Sequence, residues 1–459
     1  MRAAGAARLR PRGADEYRPP VGSADDTKVK RRAPLAKLGC SLLAMLVLSW
    51  LGVEALSRRA DTVVAERKAD PGFDPKSHAP DLWDKWAFAT LDPVAFGLSN
   101  ARVAAHPFLG YALKPGWRSG PADKLQAAHN ALGLRGREVE RKKPAGTFRI
   151  VTLGGSSVYG SQDSNDESVW SARLERLLQE RLPGARIEVL NGGCIGHNSF
   201  EMLASLQFRL LDLEPDVLFV YEAINDMKAA LYTRSAVPVQ SDNTHYRQAW
   251  QSERPGALDG LLETSRAFLI WRRYFTGWGR ERVDLYAYIQ RGYGDGTGSW
   301  YCDAGRDWPE GALPEQGFAN YRRNVTGIVA LAEAHGVEVV LATQALVRRH
   351  MEREECRATQ LLAYDRIQAI EKEVAAARGV RLCDCGPAIV AEVERVWSES
   401  AQDAAPDPVV APGHRWRKGA DGRWRKDLFH NDVHPYDEGS AVIARVIGDW
   451  FLASGLLPR

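Results

Sequence analysis

The chain has 459 residues, 61 basic and 58 acidic, for a formal net charge of +3. With 45% hydrophobic and 26% charged residues, and 14 Trp, 14 Tyr and 13 Phe, the composition is globular and excludes disorder of the whole chain. The length bounds the fold at one large domain with insertions or two to three small ones, and only one apolar stretch is long enough to span a bilayer, which excludes a polytopic membrane protein.

Residues 1–37 carry ten Lys/Arg against Asp15, Glu16, Asp25 and Asp26, a surplus of six that leaves the rest of the chain at −3. The mildly acidic body argues against nucleic acid as a partner, since phosphate binding needs a concentrated basic face. Residues 38–56 (LGCSLLAMLVLSWLGVEAL) follow, and nineteen residues at helical rise just cross a hydrocarbon core. The basic tail comes first, so the amino end is expected in the cytoplasm and the rest of the chain outside it, at the inner membrane facing the periplasm. A cleaved signal peptide is the rival reading, against which a 37-residue leading segment is long. Beyond the anchor lie Cys194, Cys302, Cys356, Cys383 and Cys385, an odd number that leaves at least one thiol free or paired with another molecule. Cys383 and Cys385 are spaced too tightly for a zinc site and read as buried thiols at a strand end.

Residues 57–75 are polar and read as a tether, and 76–146 as a small cap of a helix and irregular strands. The texture changes at Thr147. Phe148–Leu153 reads as a short buried strand ended by Gly154-Gly155, and Ser168–Leu182 as a helix stopped by Pro183-Gly184. Arg186–Leu190 is a second strand, Met202–Leu213 a helix, and Val217–Tyr221 a third strand. Tyr321–His335 is helical, Val337–Thr343 a fourth strand, Gln360–Arg378 a helix, Val380–Cys383 a fifth strand, and Glu438–Ala453 a closing helix. Strands alternating with helices of this length predict a doubly wound parallel five-stranded sheet over 147–459 with helices on both faces. Residues 227–316, rich in aromatics, interrupt the rhythm as a helical insertion after strand three, either a lid or a satellite subdomain. Arg415-Trp416-Arg417-Lys418 recurs as Arg423-Trp424-Arg425-Lys426 and predicts a basic hairpin, read as solvated or as a flap for an anionic glycan or lipid head group.

In such a sheet, active groups collect where strands end. Strand one ends in Gly154-Gly155-Ser156-Ser157, placing Ser156 at the start of a helix, where N–H groups favour a developing anion. Strand two ends in Asn191-Gly192-Gly193-Cys194-Ile195-Gly196, where a glycine lets a substrate approach the backbone. Strand three ends in Ala223-Ile224-Asn225-Asp226, with an amide donor. Asn431-Asp432-Val433-His434-Pro435 precedes the last helix. Each has a plainer reading alone: Ser156 as a helix cap, Asn225-Asp226 as a turn, Cys194 as a packing residue. His430 and His434 would suggest a metal pair on a helix, but Asn431, Asp432 and Pro435 predict a loop, and no metal is expected.

The four blocks in this order resemble the SGNH (GDSL-like) hydrolase superfamily, from about Thr147 onward. The segment His129–Gly136 also looks like a subgroup carrying such a phrase ahead of its catalytic domain. The resemblance implies an SGNH-hydrolase-like, flavodoxin-like fold, no cofactor, and a serine esterase or lipase acting on acyl esters. In that reading Ser156 is the nucleophile and His434 the general base. Gly193, Asn225 and the Ser156 N–H form the oxyanion hole. The sequence departs from the family at Gly155, where the family has aspartate, at Ala223, where it has glycine, and at Asn431, where its carboxylate stands three residues before the histidine. Asp432 then supplies the orienting carboxylate, or else Asn431 or a backbone carbonyl does. The expected function is hydrolysis of O-acyl groups on an envelope polysaccharide or similar polymer. Acyl transfer to a polymer hydroxyl, or a non-catalytic glycan-binding or assembly role, are the alternatives.

Overall fold

The computed structural model describes residues 26–69, 102–106, 108–120, 125–231, 265–268, 271, 313, 315–351, 354–404, 406 and 414–458. Contacts divide the chain into two units, one with the N-terminal helix and Ser265–Ala267, the other with the cap and the sheet.

In the first unit, helix α1 spans Asp26–Ala69. It contains Lys37–Arg59, a segment long and apolar enough to cross a membrane. The helix continues through most of the stretch expected as a tether, because 57–69 holds good helix formers and no glycine or proline. Glu54 binds Arg58 one turn on at 2.8 Å, and its other oxygen accepts from Ser265 Oγ at 3.0 Å and the Ala267 N–H at 2.9 Å.

In the second unit, strands β1 (Val103–His106) and β2 (Gly110–Leu113) form an antiparallel hairpin of the cap. The cap helix expected from the sequence is absent among its described residues, which are otherwise turns and isolated bridges. The central sheet comprises β3 (Thr147–Leu153), β4 (Arg186–Asn191), β5 (Val217–Val220), β6 (Glu338–Ala342) and β7 (Arg381–Cys383), all parallel, in the order β4-β3-β5-β6-β7. The alternation of side chains assigns each residue to a face. Val151, Leu153, Leu218, Val220, Val339 and Leu341 enter one core. Ile150, Val217, Phe219, Tyr221, Val340 and Ala342 enter the other. Apolar residues on both faces are what a sheet covered on both sides requires.

The first core is closed by α4 (Ser199–Ser205), α5 (Ile224–Leu231), α6 (Glu315–Ala334) and α7 (Glu354–Arg378). The second is closed by α3 (Trp170–Arg181), α8 (Gly386–Glu399) and α9 (Asp437–Ser454). The expected helix Met202–Leu213 is α4 followed by a π turn (Leu206–Leu210) and a 3₁₀ turn (Leu211–Leu213). Asn198 caps α4 through the Phe200 N–H, with Glu201 returning to the Asn198 N–H, which starts the helix earlier than its apolar spacing shows. Helix α8 was not anticipated, although Pro387 in its first turn is a start signal. Of the expected insertion, 232–264 and 272–312 lie outside the described residues. The repeat near the carboxyl end forms the antiparallel pair β8 (Arg415–Lys418) and β9 (Trp424–Asp427).

At the amino-terminal edge of the sheet, Arg149 is fully buried. It binds Glu188 through Nε (2.9 Å) and Nη2 (2.8 Å) and donates to the carbonyls of Leu213, Glu140 and Arg141. Register pairs Thr152 with Asn191 and Leu153 with Val220, so β3, β4 and β5 end at one level, and their following loops share one rim.

Candidate active site

Ser156 opens a single helical turn, α2 (Ser156–Tyr159), directly after β3. Gly155 precedes it because nothing larger fits. A Cβ there would lie 2.4 Å from Asn225 Nδ2, 2.4 Å from Glu222 Oε2 and 3.0 Å from the His197 carbonyl. That explains the departure from the family's aspartate at this position. Ser156 is buried, with 7% of its surface exposed.

The loop 428–436 brings His434 to Ser156, with Nε2 to Oγ at 2.6 Å. The ring's other nitrogen, Nδ1, lies 2.9 Å from Asn431 Oδ1. That same oxygen accepts the N–H groups of Val433 (3.2 Å) and His434 (3.0 Å), which fixes the amide with its oxygen toward the ring. Nδ1 must then carry the proton, and Nε2 presents its lone pair to the serine hydroxyl. The expected carboxylate of Asp432 gives way here to the amide of Asn431. Asp432 contributes its backbone carbonyl to the Val347 N–H at 2.7 Å. Adjacent residues of a tight turn point differently, and Asn431 is the one whose side chain folds back over the following two amides. Burial of the ring, and after it the positive charges of Lys228 and His430, hold the His434 pKa well below the usual imidazole range. The ring is therefore neutral at physiological pH, the form a general base requires.

Asn225, half-buried in the first turn of α5, donates through Nδ2 to the His197 carbonyl at 2.9 Å. This leaves the second N–H of a side-chain amide beside Gly155. The second-strand loop supplies a correction. The Gly193 N–H is spent on Asn191 Oδ1 at 3.0 Å, and a Cβ there would strike the backbone of Val158 and Tyr159. Gly193 is thus a packing glycine against α2, and the loop reaches the rim three residues later, at Gly196-His197. Gly196 adopts φ +76°, and a Cβ on it would lie 2.7 Å from the Tyr111 hydroxyl of the cap hairpin, which itself donates to the Ile195 carbonyl at 2.8 Å. Cys194 is buried and free, and burial pushes its thiol up to about 12, so it packs and does not react. Cys383 and Cys385 are likewise buried free thiols. His430 Nδ1 bonds the Tyr436 hydroxyl at 3.0 Å.

Groups that the sequence left unremarked join these loops. Gln344, just past the end of β6, accepts the N–H groups of Ala223 (3.2 Å) and Ile224 (2.9 Å) and donates to Ser157 Oγ (3.1 Å). Ser157 Oγ in turn donates to the Val433 carbonyl at 3.2 Å, next to His434. Glu222 accepts from Gly155 and Asn225. Position was the available signal for both: each sits two residues past a strand's carboxyl end, close to where Ser156 stands, three residues past the end of β3. The cap phrase contributes Arg135, which is 5% exposed. It binds Asp166 at 2.8 Å and donates to the carbonyls of Tyr159 and Gly160, while His129 Nε2 meets the Tyr159 hydroxyl at 3.0 Å. The basic hairpin is tied to the same region, since Arg417 ion-pairs with Asp427 at 2.9 Å and donates to the His430 carbonyl.

The five-stranded parallel sheet flanked by helices, with these loops at its carboxyl-end rim, is that of a hydrolase of the SGNH kind. The chain belongs to the GDSL-like Lipase/Acylhydrolase family, which residues 152–442 match, more than half of its length, and it is an ester-hydrolysing enzyme. No curated protein matches it. Among solved structures it is similar to an α/β hydrolase enzyme from the metagenome of Lake Arreo, Spain, at 17% identity over 68% of this chain and 97% of that one (TM-score 0.35). It is also similar to an acetylxylan esterase from Geobacillus stearothermophilus, solved as a catalytic mutant, at 15% over 65% and 92% (0.33). A two-domain esterase active on acetylated mannans matches at 14% over 68% and 50% (0.34).

Proposed function

We propose that the protein is a serine esterase that removes O-acyl groups through Ser156 and His434, held at the inner membrane by α1 with its catalytic domain on the periplasmic side. The observation that carries the chemistry is the 2.6 Å contact between Ser156 Oγ and His434 Nε2, with Asn431 fixing the tautomer. His434 Nε2 takes the hydroxyl proton as Oγ attacks the ester carbonyl. The oxyanion that forms is met by the Ser156 N–H and the second N–H of the Asn225 amide. Collapse of the tetrahedral intermediate breaks the ester C–O bond, and the imidazolium gives its proton to the leaving alcohol. Water, deprotonated by His434, then releases the acid and restores Ser156. The basic tail ahead of an apolar span supports an extracytoplasmic substrate, and an O-acylated envelope glycan is the proposed class.

The test is the Ser156→Ala protein on a simple acetyl ester. Loss of at least about a thousandfold in kcat/KM supports the nucleophile, and the parental rate removes it. A periplasm-dependent reporter fused at the carboxyl end tests the topology, and activity confined to the cytoplasm would reverse it.

A further inference from the structure

Glu222 takes no part in the proton path between Ser156 and His434, yet two loops of the site meet on it. It follows β5 and is 1% exposed. Its Oε2 accepts the Gly155 N–H at 2.8 Å, and its Oε1 accepts the Asn225 N–H at 2.8 Å. The bond to Asn225 alone would be an ordinary cap on the first turn of α5. A cap does not explain the second bond, which crosses to a different loop and ends on the residue before Ser156. The glycine at 155 is what lets the carboxylate come so close.

Dehydrating an acid at this spot is costly: burial pushes its pKa up to about 7, against the backbone bonds that pull it down. Only a carboxylate offers two acceptors and no donor. A carboxamide of the same shape offers one acceptor and would turn an N–H toward one of the two amides. The Asn225 side chain is otherwise held by the His197 carbonyl, so the backbone position of residue 225 decides where its free N–H aims.

We propose that Glu222 is a positioning residue, a strap whose carboxylate bridges the Gly155 and Asn225 amides and sets the oxyanion-binding amide against the nucleophile turn. The proposal rests on Ser156 as nucleophile and adds a role for a residue that touches neither substrate nor the reacting atoms.

The experiment compares the full chain in detergent with Glu222→Gln, Glu222→Asp and Ser156→Ala. It measures kcat and KM on 4-nitrophenyl acetate, the rate of fluorophosphonate labelling, and amide hydrogen exchange at Gly155 and Asn225. Glu222→Gln is expected to lower kcat about ten- to hundredfold with KM within about threefold, and to slow labelling by the same factor. Exchange at Gly155 should quicken, while the melting transition stays cooperative. Glu222→Asp, which keeps both acceptors on a shorter side chain, should fall between the parent and Glu222→Gln, and it carries the test should Glu222→Gln not fold. A kcat within twofold of the parent in a folded variant overturns the proposal, as does unchanged exchange at Gly155. Equal rates for the parent and Ser156→Ala would instead remove the nucleophile, and the strap's purpose with it.

Discussion

The neutral amide behind His434 gives the sharpest prediction. In Asn431→Asp the side chain keeps its length, and its Oδ1 can still accept from Val433, His434 and the ring, while the second oxygen faces partly into solvent. What changes is charge. With Oδ1 2.9 Å from Nδ1, the carboxylate and a protonated ring would have charge centres about 4 Å apart, an attraction of about 4 kcal/mol at an effective dielectric of 20. The half-buried ring sees part of that through water, and opposite charges at this range raise an imidazole pKa by about 1–3 units. Only the fraction of proton transfer complete in the transition state reaches the rate, and with about half of it expressed kcat on an acetyl ester should rise about three- to thirtyfold at pH 8. The base now protonates more readily, so the acid limb of the kcat/KM profile moves to higher pH by the same 1–3 units. The control is Asn431→Ala, which leaves two backbone N–H groups and the ring N–H without their acceptor and should lose about a hundredfold or more. A folded Asn431→Asp with parental kcat and an unmoved acid limb would refute the assignment of Asn431 as the group that orients the base.

Three further perturbations follow from the same contacts. Gly155→Ala places a methyl 2.4 Å from Asn225 Nδ2 and Glu222 Oε2, and should cost about 1–3 kcal/mol in denaturant unfolding and most of the esterase activity; parental kcat would show that the loops give way freely. Arg149→Met strands Glu188 and three carbonyls in a buried spot and should destabilise by about 3–5 kcal/mol, read from the urea midpoint, with kcat of the remaining folded protein unchanged. Burial pushes Asp226 up to about 8 and Glu222 up to about 7. Their folded pKa values lie above the unfolded ones, so their neutral forms contribute stability fully below about pH 4, and it is lost as pH rises through 7 to 8. His129, pushed down to about 4 by burial, titrates below that range. Between about pH 6.5 and 8, Asp226 alone should lower unfolding free energy by up to about 1.4 kcal/mol per pH unit, a slope that Asp226→Asn flattens; a melting temperature rising with pH there would contradict this.

The parallel sheet was legible because both faces of its strands are apolar and each strand ends on a glycine or a polar residue. The four blocks were legible for the same reason, and Ser156, Asn225 and His434 do share a rim. What stayed hidden depends on which of two neighbouring groups turns inward. Gly193 and Gly196 are equivalent on paper, and what separates them is the Asn191 side chain taking the Gly193 N–H and the backbone of α2 packed against Gly193. Asn431 and Asp432 are adjacent, and the carboxylate is the better chemical candidate until the turn's geometry gives the ring to the amide. Glu222 and Gln344 carried a positional signal, but an acid or amide at a strand end is common, and their partners are backbone groups that no sequence pattern marks.

Helix α2 shows why a cap phrase far from the chemistry belongs to this site. Four residues form one turn, too short to hold itself in water, so its orientation has to come from outside. Its orphan carbonyls are taken one by one by side chains of different elements: Ser157 by Trp170 Nε1 at 3.0 Å, Val158 by Asn191 Nδ2 at 2.8 Å, Tyr159 and Gly160 by Arg135. Glu222 holds the other end through Gly155. Each of these donors is buried, so the bonds are made in a low dielectric and are costly to leave unmade. The Ser156 hydroxyl is therefore aimed by α3, β4, the cap and β5 together, and the cap acts on it through the carbonyls of α2.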